Sequence, residues 1–362
     1  MSGSIIKVLI VGAGDIGMSH LQAYNSNPNF SIVGVVDIQK INLPDSMSSI
    51  PIHENFEIAL KALNPDLVAI CTYSNTHAEY AKIALNFGAH IFVEEPWALS
   101  LKDAKDVLAT AQKAKRQLII GHILSYDPIW NRFVVEARNL GGPYVIRMAA
   151  NQQADAQKWE LHKRLLLSAP PIVDSGVHFA YIMCKITESK PVKVHAIGLR
   201  LSEELNPKIY NYGQMQVTFS DGSIAWFEAG WGPMMSKAGK LVRDVVCPSG
   251  SVSVVNDEYN DITMHNNIKS SNALNSAIIV RQAKPSLKDD HQFDWDPFSE
   301  TRLPFTGKMS QDILCEREQN YVHRAITENH DLKEHHRDAM LSLEICLAAH
   351  RSISTGKSVH LT

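Results

Sequence analysis

The sequence predicts an α/β fold. A doubly wound parallel sheet occupies the first third, and an α+β domain with an open, mostly antiparallel sheet follows. Three observations carry this. The apolar run Ile5-Ile6-Lys7-Val8-Leu9-Ile10-Val11 leads straight into Gly12-Ala13-Gly14-Asp15-Ile16-Gly17. Strand and helix patterns then alternate to about residue 121, as in a parallel sheet. From Val145 onward, strand-like runs succeed one another without helices between them, which implies antiparallel pairing. The division is placed between residues 123 and 124, giving domains 1–123 and 124–362. The C-terminal helix is a candidate to pack back on the first domain.

The first strand and its turn have the chemistry of a dinucleotide site. Gly12 permits a tight exit from the strand, Gly14 lets backbone approach a pyrophosphate, and Gly17 lets the helix pack on the sheet. The helix starting near Asp15 points free N–H groups and a positive dipole end at that anion. A second apolar strand, Ile32–Val36, ends at Asp37, twenty residues beyond Gly17. That is where an acid takes the ribose hydroxyls of NAD and repels the 2′-phosphate of NADP. NAD is therefore the expected cofactor, and NADP is disfavoured.

The following elements are read in order. A polar loop covers Asn42–Ile52 and a helix Phe56–Leu63. The turn Asn64-Pro65-Asp66 introduces a buried strand, Leu67–Thr72. A helix from about Thr76 to Phe87 stops at Gly88. Ile91–Val93 is a strand, Ser100-Leu101-Lys102-Asp103 opens a helix as a capping-box-like signal, and Leu118–Gly121 is the next strand. Asp127-Pro128 reads as an N-cap with proline at the first helical position, for a helix to about Arg138. Strands are expected at Val145–Ala150, Val192–Arg200, Gln214–Phe219, Ile224–Ala229, Leu241–Val246 and Ser251–Val255, with Asp221-Gly222 turning a hairpin. Ala154–Pro171 and Gln282–Pro304 are expected to be loops. Helices near Asp312–Glu328 and Leu332–Ser354 close the pattern.

Composition narrows the partners. The 362 residues carry a net charge of −3, with 45% hydrophobic and 20% charged residues, which points to neither a nucleic-acid nor a membrane partner. Five widely separated cysteines (Cys71, Cys184, Cys247, Cys315, Cys346) read as free thiols in a reducing compartment. The N-terminal apolar run is too short for a signal-peptide core, and no stretch is long enough to span a bilayer. A cytoplasmic location is expected. No metal-ligand spacing is present in the sequence, and none of the scattered histidines is expected to hold a metal.

Three clusters bear on chemistry. Val93-Glu94-Glu95-Pro96-Trp97 follows a sheet strand, which puts Glu95 at the carboxyl edge near a nicotinamide; the alternative is a solvated charge before a proline. Asp174-Ser175-Gly176-Val177-His178 places a carboxylate and an imidazole four apart, able to share a substrate hydroxyl with His178 accepting the proton. The alternative is an Asp N-cap with an unrelated histidine. His77, after Thr72-Tyr73-Ser74-Asn75, is within reach of the cofactor edge or is incidental. Trp159, Lys163 and Arg164 are candidate contacts to a polar substrate ring, or ordinary loop residues.

With these residues in place, the chain resembles the Gfo/Idh/MocA oxidoreductase family over nearly its whole length. The resemblance rests on Gly12–Gly17, the segment Leu67–Gly88 with His77, the turn Glu94–Pro96, Asp174-x-Gly176-x-His178, and the closing Ser352–Val359. It implies a Rossmann domain joined to an open sheet that carries the substrate face and often the oligomer interface. It also implies NAD(P)-dependent oxidation or reduction of sugars, inositols and related polyols. Gly12, Gly14, Asp15, Ile16, Gly17, Asp37, Thr72, His77, Glu94 and Pro96 would then line the cofactor, and Asp174 and His178 would face the substrate. Three positions depart from the family pattern. Glu95 stands where the family turn carries lysine, Ala169-Pro170-Pro171 stands where glycines are favoured, and Tyr181 stands where a further acid is common. The expectation is an NAD-dependent sugar or polyol dehydrogenase. His178 is its acid/base, Asp174 orients it and binds a hydroxyl, and Glu95 takes an altered supporting role. Two alternatives stand beside it: transient oxidation by tightly held NAD during elimination, epimerisation or glycoside cleavage, and a non-catalytic dinucleotide sensor. A homo-oligomer through the second sheet is expected.

Overall fold

A computed structural model describes residues 5–236, 241–256, 276–282, 285–287, 293–295, 299–305 and 310–361. The chain forms two compact units. The first runs to Tyr126 and regains Ser310–Met340; the second comprises Asp127–Met309 and Leu341–Thr362. The break thus falls three residues beyond the expected 123/124.

The first unit starts with β1 (Ile6–Val11), α1 (Asp15–Ser26) and β2 (Phe30–Val36). It continues with β3 (Ile52–His53), α2 (Phe56–Leu63), β4 (Leu67–Ile70), α3 (Ser74–Phe87), β5 (His90–Glu94), α4 (Leu101–Ala114) and β6 (Leu118–Gly121). Its strands are parallel in the order β3-β2-β1-β4-β5-β6. The order reverses between β1 and β4, the switch point where doubly wound sheets bind ligands. All four residues of β4 and of β6 are buried, as strands covered on both faces require. Local chemistry sets the helix ends. Ser100 Oγ accepts from Asp103 N–H at 3.0 Å to start α4, and Gly88 ends α3 at φ +99°.

The second unit holds α5 (Pro128–Leu140), β7 (Val145–Gln153), α6 (Ala156–Leu165), α7 (Pro171–Asp174) and α8 (Gly176–Thr187). The strands β8 (Pro191–Leu199), β9 (Tyr212–Phe219), β10 (Ile224–Gly232), β11 (Leu241–Cys247) and β12 (Gly250–Asn256) follow. Next come β13 (Ser276–Gln282), β14 (Pro285–Leu287), β15 (Phe293–Trp295) and β16 (Ser299–Phe305). The chain closes with α9 (Gln311–Thr327), α10 (Lys333–Thr355) and β17 (Val359–His360). Nine strands form one sheet, β16-β13-β12-β11-β7-β10-β9-β8-β17, antiparallel except for β7 against β10. Asp127 caps α5 by accepting from Ile129 N–H at 2.8 Å, with Pro128 at the first turn.

Two expected loops are corrected. Ala154–Pro171 contains α6, capped by Asp155 accepting from Lys158 N–H at 2.9 Å. Its buried residues, Trp159 and His162, are only three apart, too sparse a stripe to register as amphipathic. Gln282–Pro304 contains β14, β15 and most of β16. β16 is an edge strand with mostly exposed residues and therefore lacks an apolar alternation. β13 was not among the expected strands although Ala277–Val280 is apolar. The α9 segment belongs to the first unit, where it packs along α1, and Asn27 Nδ2 donates to Asn320 Oδ1 at 2.9 Å. The start of α10 joins it there. Ile120 N–H donates to His335 Nε2 at 2.9 Å, and His336 Nε2 lies 2.7 Å from Leu118 O. The returning element is thus α9 with the first turns of α10.

Candidate functional site

The three glycines of the first turn answer to different demands. A Cβ on Gly12, which sits at φ +90°, would lie 2.7 Å from Cys71 O. A Cβ on Gly17 would lie 2.0 Å from Gly12 O. Both positions are fixed by packing. Gly14 differs: its φ is −67°, and among the described residues a Cβ there would meet nothing within 4 Å. Neither conformation nor protein packing requires glycine at 14. What it leaves bare is the exposed backbone at the N-terminus of α1, where first-turn N–H groups lack helical acceptors and no side chain caps them. Such an end receives phosphate, so the turn fits a dinucleotide. Asp15 and Ile16 follow in the first turn.

Asp37 is already oriented toward this turn. Its Oδ2 accepts from Ala13 N–H at 2.8 Å and its Oδ1 from Gln39 N–H at 2.8 Å. A carboxylate oxygen accepts more than one bond, so both retain capacity for ribose hydroxyls. At the end of β4, Thr72 Oγ1 and Thr76 Oγ1 are 2.7 Å apart. His77 is buried, with Nδ1 2.9 Å from Pro96 O and Nε2 2.9 Å from Thr72 O. Burial pushes its pKa down, against the pull of the two carbonyls. Both ring nitrogens thus face backbone. His77 thus braces the β4 end against the Glu-x-Pro turn.

The departure from lysine has a structural counterpart. Glu95 Oε1 lies 2.7 Å from His122 Nε2, and the side chains are 0% and 2% exposed. Glu95 Oε2 accepts from Trp97 N–H at 3.2 Å. The carboxylate is held within the first unit by the histidine that follows β6, with His335 6.0 Å from the His122 ring. Glu94 Oε2 accepts from Glu95 N–H at 3.3 Å, while Oε1 contacts His20 Nε2. Pro96 is buried.

In the second unit, Asp174 ends α7 and His178 lies in the first turn of α8. Ser175 between them keeps right-handed helical dihedrals, so the four-residue spacing still puts the two on one side. From Pro171 to Cys184 every residue is buried except these two, which are half-buried. Their neighbours form the core: Phe179 stacks on Phe227 at 4.7 Å and meets Trp130 edge-on at 5.6 Å. A Cβ on Gly176 would come within 3.1 Å of Cys346 Sγ, so the close approach of α8 and α10 suits glycine. Tyr181 is buried with Lys185 Nζ 5.4 Å from its ring.

The three candidate substrate residues lie on α6. Trp159 is buried in a cluster with Leu166, Leu205 and Trp231, and its Nε1 donates to Glu204 Oε1 at 3.3 Å. Lys163 pairs with Glu160 at 2.6 Å and Glu204 at 2.8 Å. Arg164 is exposed. Sequence reasoning did not single out His20, His122, Glu318 or Gln319. His20 carried a signal, since it lies three residues beyond Gly17 and so on the same face of α1. The others meet their partners only through the fold.

The first unit is thus a nucleotide-binding Rossmann unit, and the second presents a carboxylate–imidazole pair from a helix against a large sheet. Residues 6–122 match the family model described as "Oxidoreductase family, NAD-binding Rossmann fold", and residues 132–251 match the GFO/IDH/MocA C-terminal domain. The chain belongs to the Gfo/Idh/MocA oxidoreductase family. It is 26% identical over 255 residues to D-glucoside 3-dehydrogenase of Escherichia coli, covering 63% of this chain and 71% of that one. It is 24% identical over 162 residues to inositol 2-dehydrogenase of Klebsiella pneumoniae, covering 42% of this chain and 48% of that enzyme, about half its length. Scyllo-inositol dehydrogenase from Lactobacillus casei, solved with NAD(H) and scyllo-inositol, shares the fold with a TM-score of 0.72. It is 17% identical and covers 99% of each chain. Among the described residues, no helix is long and apolar enough to cross a membrane.

Proposed function

We propose that this chain is an NAD-dependent dehydrogenase that oxidises a ring carbinol of a sugar, sugar derivative or polyol. The observation that carries this is the pair Asp174 and His178, the two half-buried residues in an otherwise buried stretch. A carboxylate and an imidazole that both stay half-accessible on one side of such a helix suit a substrate hydroxyl. His178 takes the hydroxyl proton, and Asp174 orients the imidazole and binds a neighbouring hydroxyl. When bound, the nicotinamide supplies the hydride acceptor. Gly14, Asp15, Ile16 and Gly17 would hold the pyrophosphate at the start of α1. Asp37 would hold the adenosine ribose and disfavour a 2′-phosphate. Thr72, Glu94 and Pro96 would border the nicotinamide half.

Glu95 takes a positioning role. Its carboxylate is engaged by His122 and by Trp97 N–H inside the first unit, so it does not stand as a free carboxylate beside the reacting hydroxyl. Trp159 and Lys163 shape the second unit through Glu204, and Arg164 remains the exposed candidate for substrate contact. The named relatives act on a glucoside and on inositol, which supports the substrate class. The outer face of the nine-stranded sheet carries the exposed apolar residues Val145, Ile197, Leu199 and Ile224, and it is the proposed oligomer surface.

The test is incubation with NAD or NADP and a panel of glycosides, sugar acids and inositols, read by NADH absorbance and product mass. Turnover with NAD that falls by about 100-fold or more in His178→Ala and in Asp174→Asn supports the proposal. NAD binding without turnover on any panel member, or turnover untouched by both variants, refutes it.

A further inference from the structure

Inside the first unit, three ionisable side chains from three elements converge. They are His20 of α1, Glu94 at the end of β5 and Glu318 of α9. One donor atom from each lies within 4.8 Å of the others. His20 and Glu318 are fully buried, while the Glu94 side chain keeps 16% exposure. His20 Nε2 contacts Glu94 Oε1. Among the described residues, neither oxygen of Glu318 has a hydrogen-bond partner. A fully buried carboxyl group without hydrogen bonds is rare and costly, and this one lies beside an imidazole and a second carboxylate.

We propose that His20, Glu94 and Glu318 form a binding site for a divalent transition-metal cation of the Zn²⁺ type, tying α1, β5 and α9 together. One imidazole nitrogen and two carboxylate oxygens suit this borderline ion. Charge also favours it. Two carboxylates and a neutral imidazole balance one divalent cation, so the buried site closes at zero net charge. Burial pushes the Glu318 carboxyl well up, with His20 opposing and Glu94 reinforcing. For His20, burial pulls down, but Cys315, Cys71 and Glu94 together hold it well above its ordinary value.

The surroundings match. Gln319 Nε2 lies 2.8 Å from His20 Nδ1, while Gln319 Oε1 has no partner among the described residues. Turning the amide over lets Oε1 accept from Nδ1–H and frees Nε2 for the ion, the outer-shell arrangement usual for metal-bound histidine. Donors around a tetrahedral ion lie about 3.3 Å apart. Glu318, held by no hydrogen bond, is the arm that closes that distance. The partly exposed Glu94 gives the ion its way in. Ligands drawn from three distant elements leave no local spacing, so the absence of a metal motif in the sequence does not bear on this site.

The protein, stripped with chelator and dialysed, is titrated with Zn²⁺ alone by calorimetry. Metal content is measured in parallel. The expected result is one zinc per chain, with an apparent affinity that rises with pH because the ligands bind in their deprotonated forms. Glu318→Gln, whose fold is checked by circular dichroism, should weaken binding at least about tenfold. No stoichiometric uptake, or equal binding by Glu318→Gln, overturns the proposal. Zinc stoichiometry in the wild type decides the matter even if the variant fails to fold. The site can fail without affecting the dehydrogenase reading, because its readout is metal content and not turnover.

Discussion

Gly14 and Gly17 are the same residue type in one motif, yet only one serves the fold. The structure separates them by what a methyl group would touch. Gly14→Ala should leave unfolding within about 1 kcal/mol of wild type, since only an N-cap preference is lost, and weaken NAD binding at least tenfold by calorimetry. Gly17→Ala should instead lose about 3 kcal/mol or more in urea unfolding, because the clash is with backbone. The Glu95–His122 pair makes a similar distinction. Removing one partner of a buried pair costs about 3–5 kcal/mol, so Glu95→Ala should lower the urea midpoint strongly. Glu95→Lys should do the same by burying an ammonium group against the His122 ring, and His122→Asn in the same chain should recover part of the loss. Asp37, the glycines and the Asp174/His178 spacing were legible because local spacing carries their chemistry. His122 was not, because it meets Glu95 only when β5 and β6 lie side by side.

Among the elements, the regular ones were the readable ones. α2 falls on its expected bounds, Phe56–Leu63, because Asn55 caps it and Asn64 ends it in the left-handed conformation. α6 and β16 escaped because a sparse apolar stripe and a polar edge strand carry weak periodicity. The β5–β6 edge also has a pH response. Burial, with help from Arg116, pulls the His90 pKa down to about 4, and Gln117 N–H donates to its Nδ1 at 3.0 Å, which requires that nitrogen unprotonated. The folded pKa lies below the unfolded value, so the unfolded chain takes up the proton first. The contribution is complete above about pH 6.5 and is lost as pH falls toward 4. His90 is partly exposed, so the loss is modest, about 1–2 kcal/mol after solvent screening. Urea midpoints at pH 7 and pH 5 should differ accordingly, and His90→Asn, which keeps an acceptor but does not titrate, should reduce the difference. An unchanged difference would assign it to other groups.

For the whole molecule, the two-unit plan and the family were legible because the glycine turn, Asp37 and the later strand succession are each local patterns. The return of α9 to the first unit was only partly legible, since its apolar face does not say which sheet it covers. The apolar outer face of the second sheet predicts self-association. Val145 and Ile224 are paired across β7 and β10, and Ile224 is 49% exposed. Ile224→Glu should shift the protein toward monomer in light scattering with NAD affinity retained; an unchanged mass would place any interface elsewhere. The central claim is net hydride transfer from a substrate carbinol to NAD, with the proton taken by His178. Its most direct test uses a substrate from the panel deuterated at the oxidised carbon, with mass spectrometry of the reduced cofactor. The account predicts one deuterium in NADH per product formed, and none formed by His178→Ala at comparable times. Product bearing the deuterium, or deuterium lost to solvent without reduced cofactor, would contradict it.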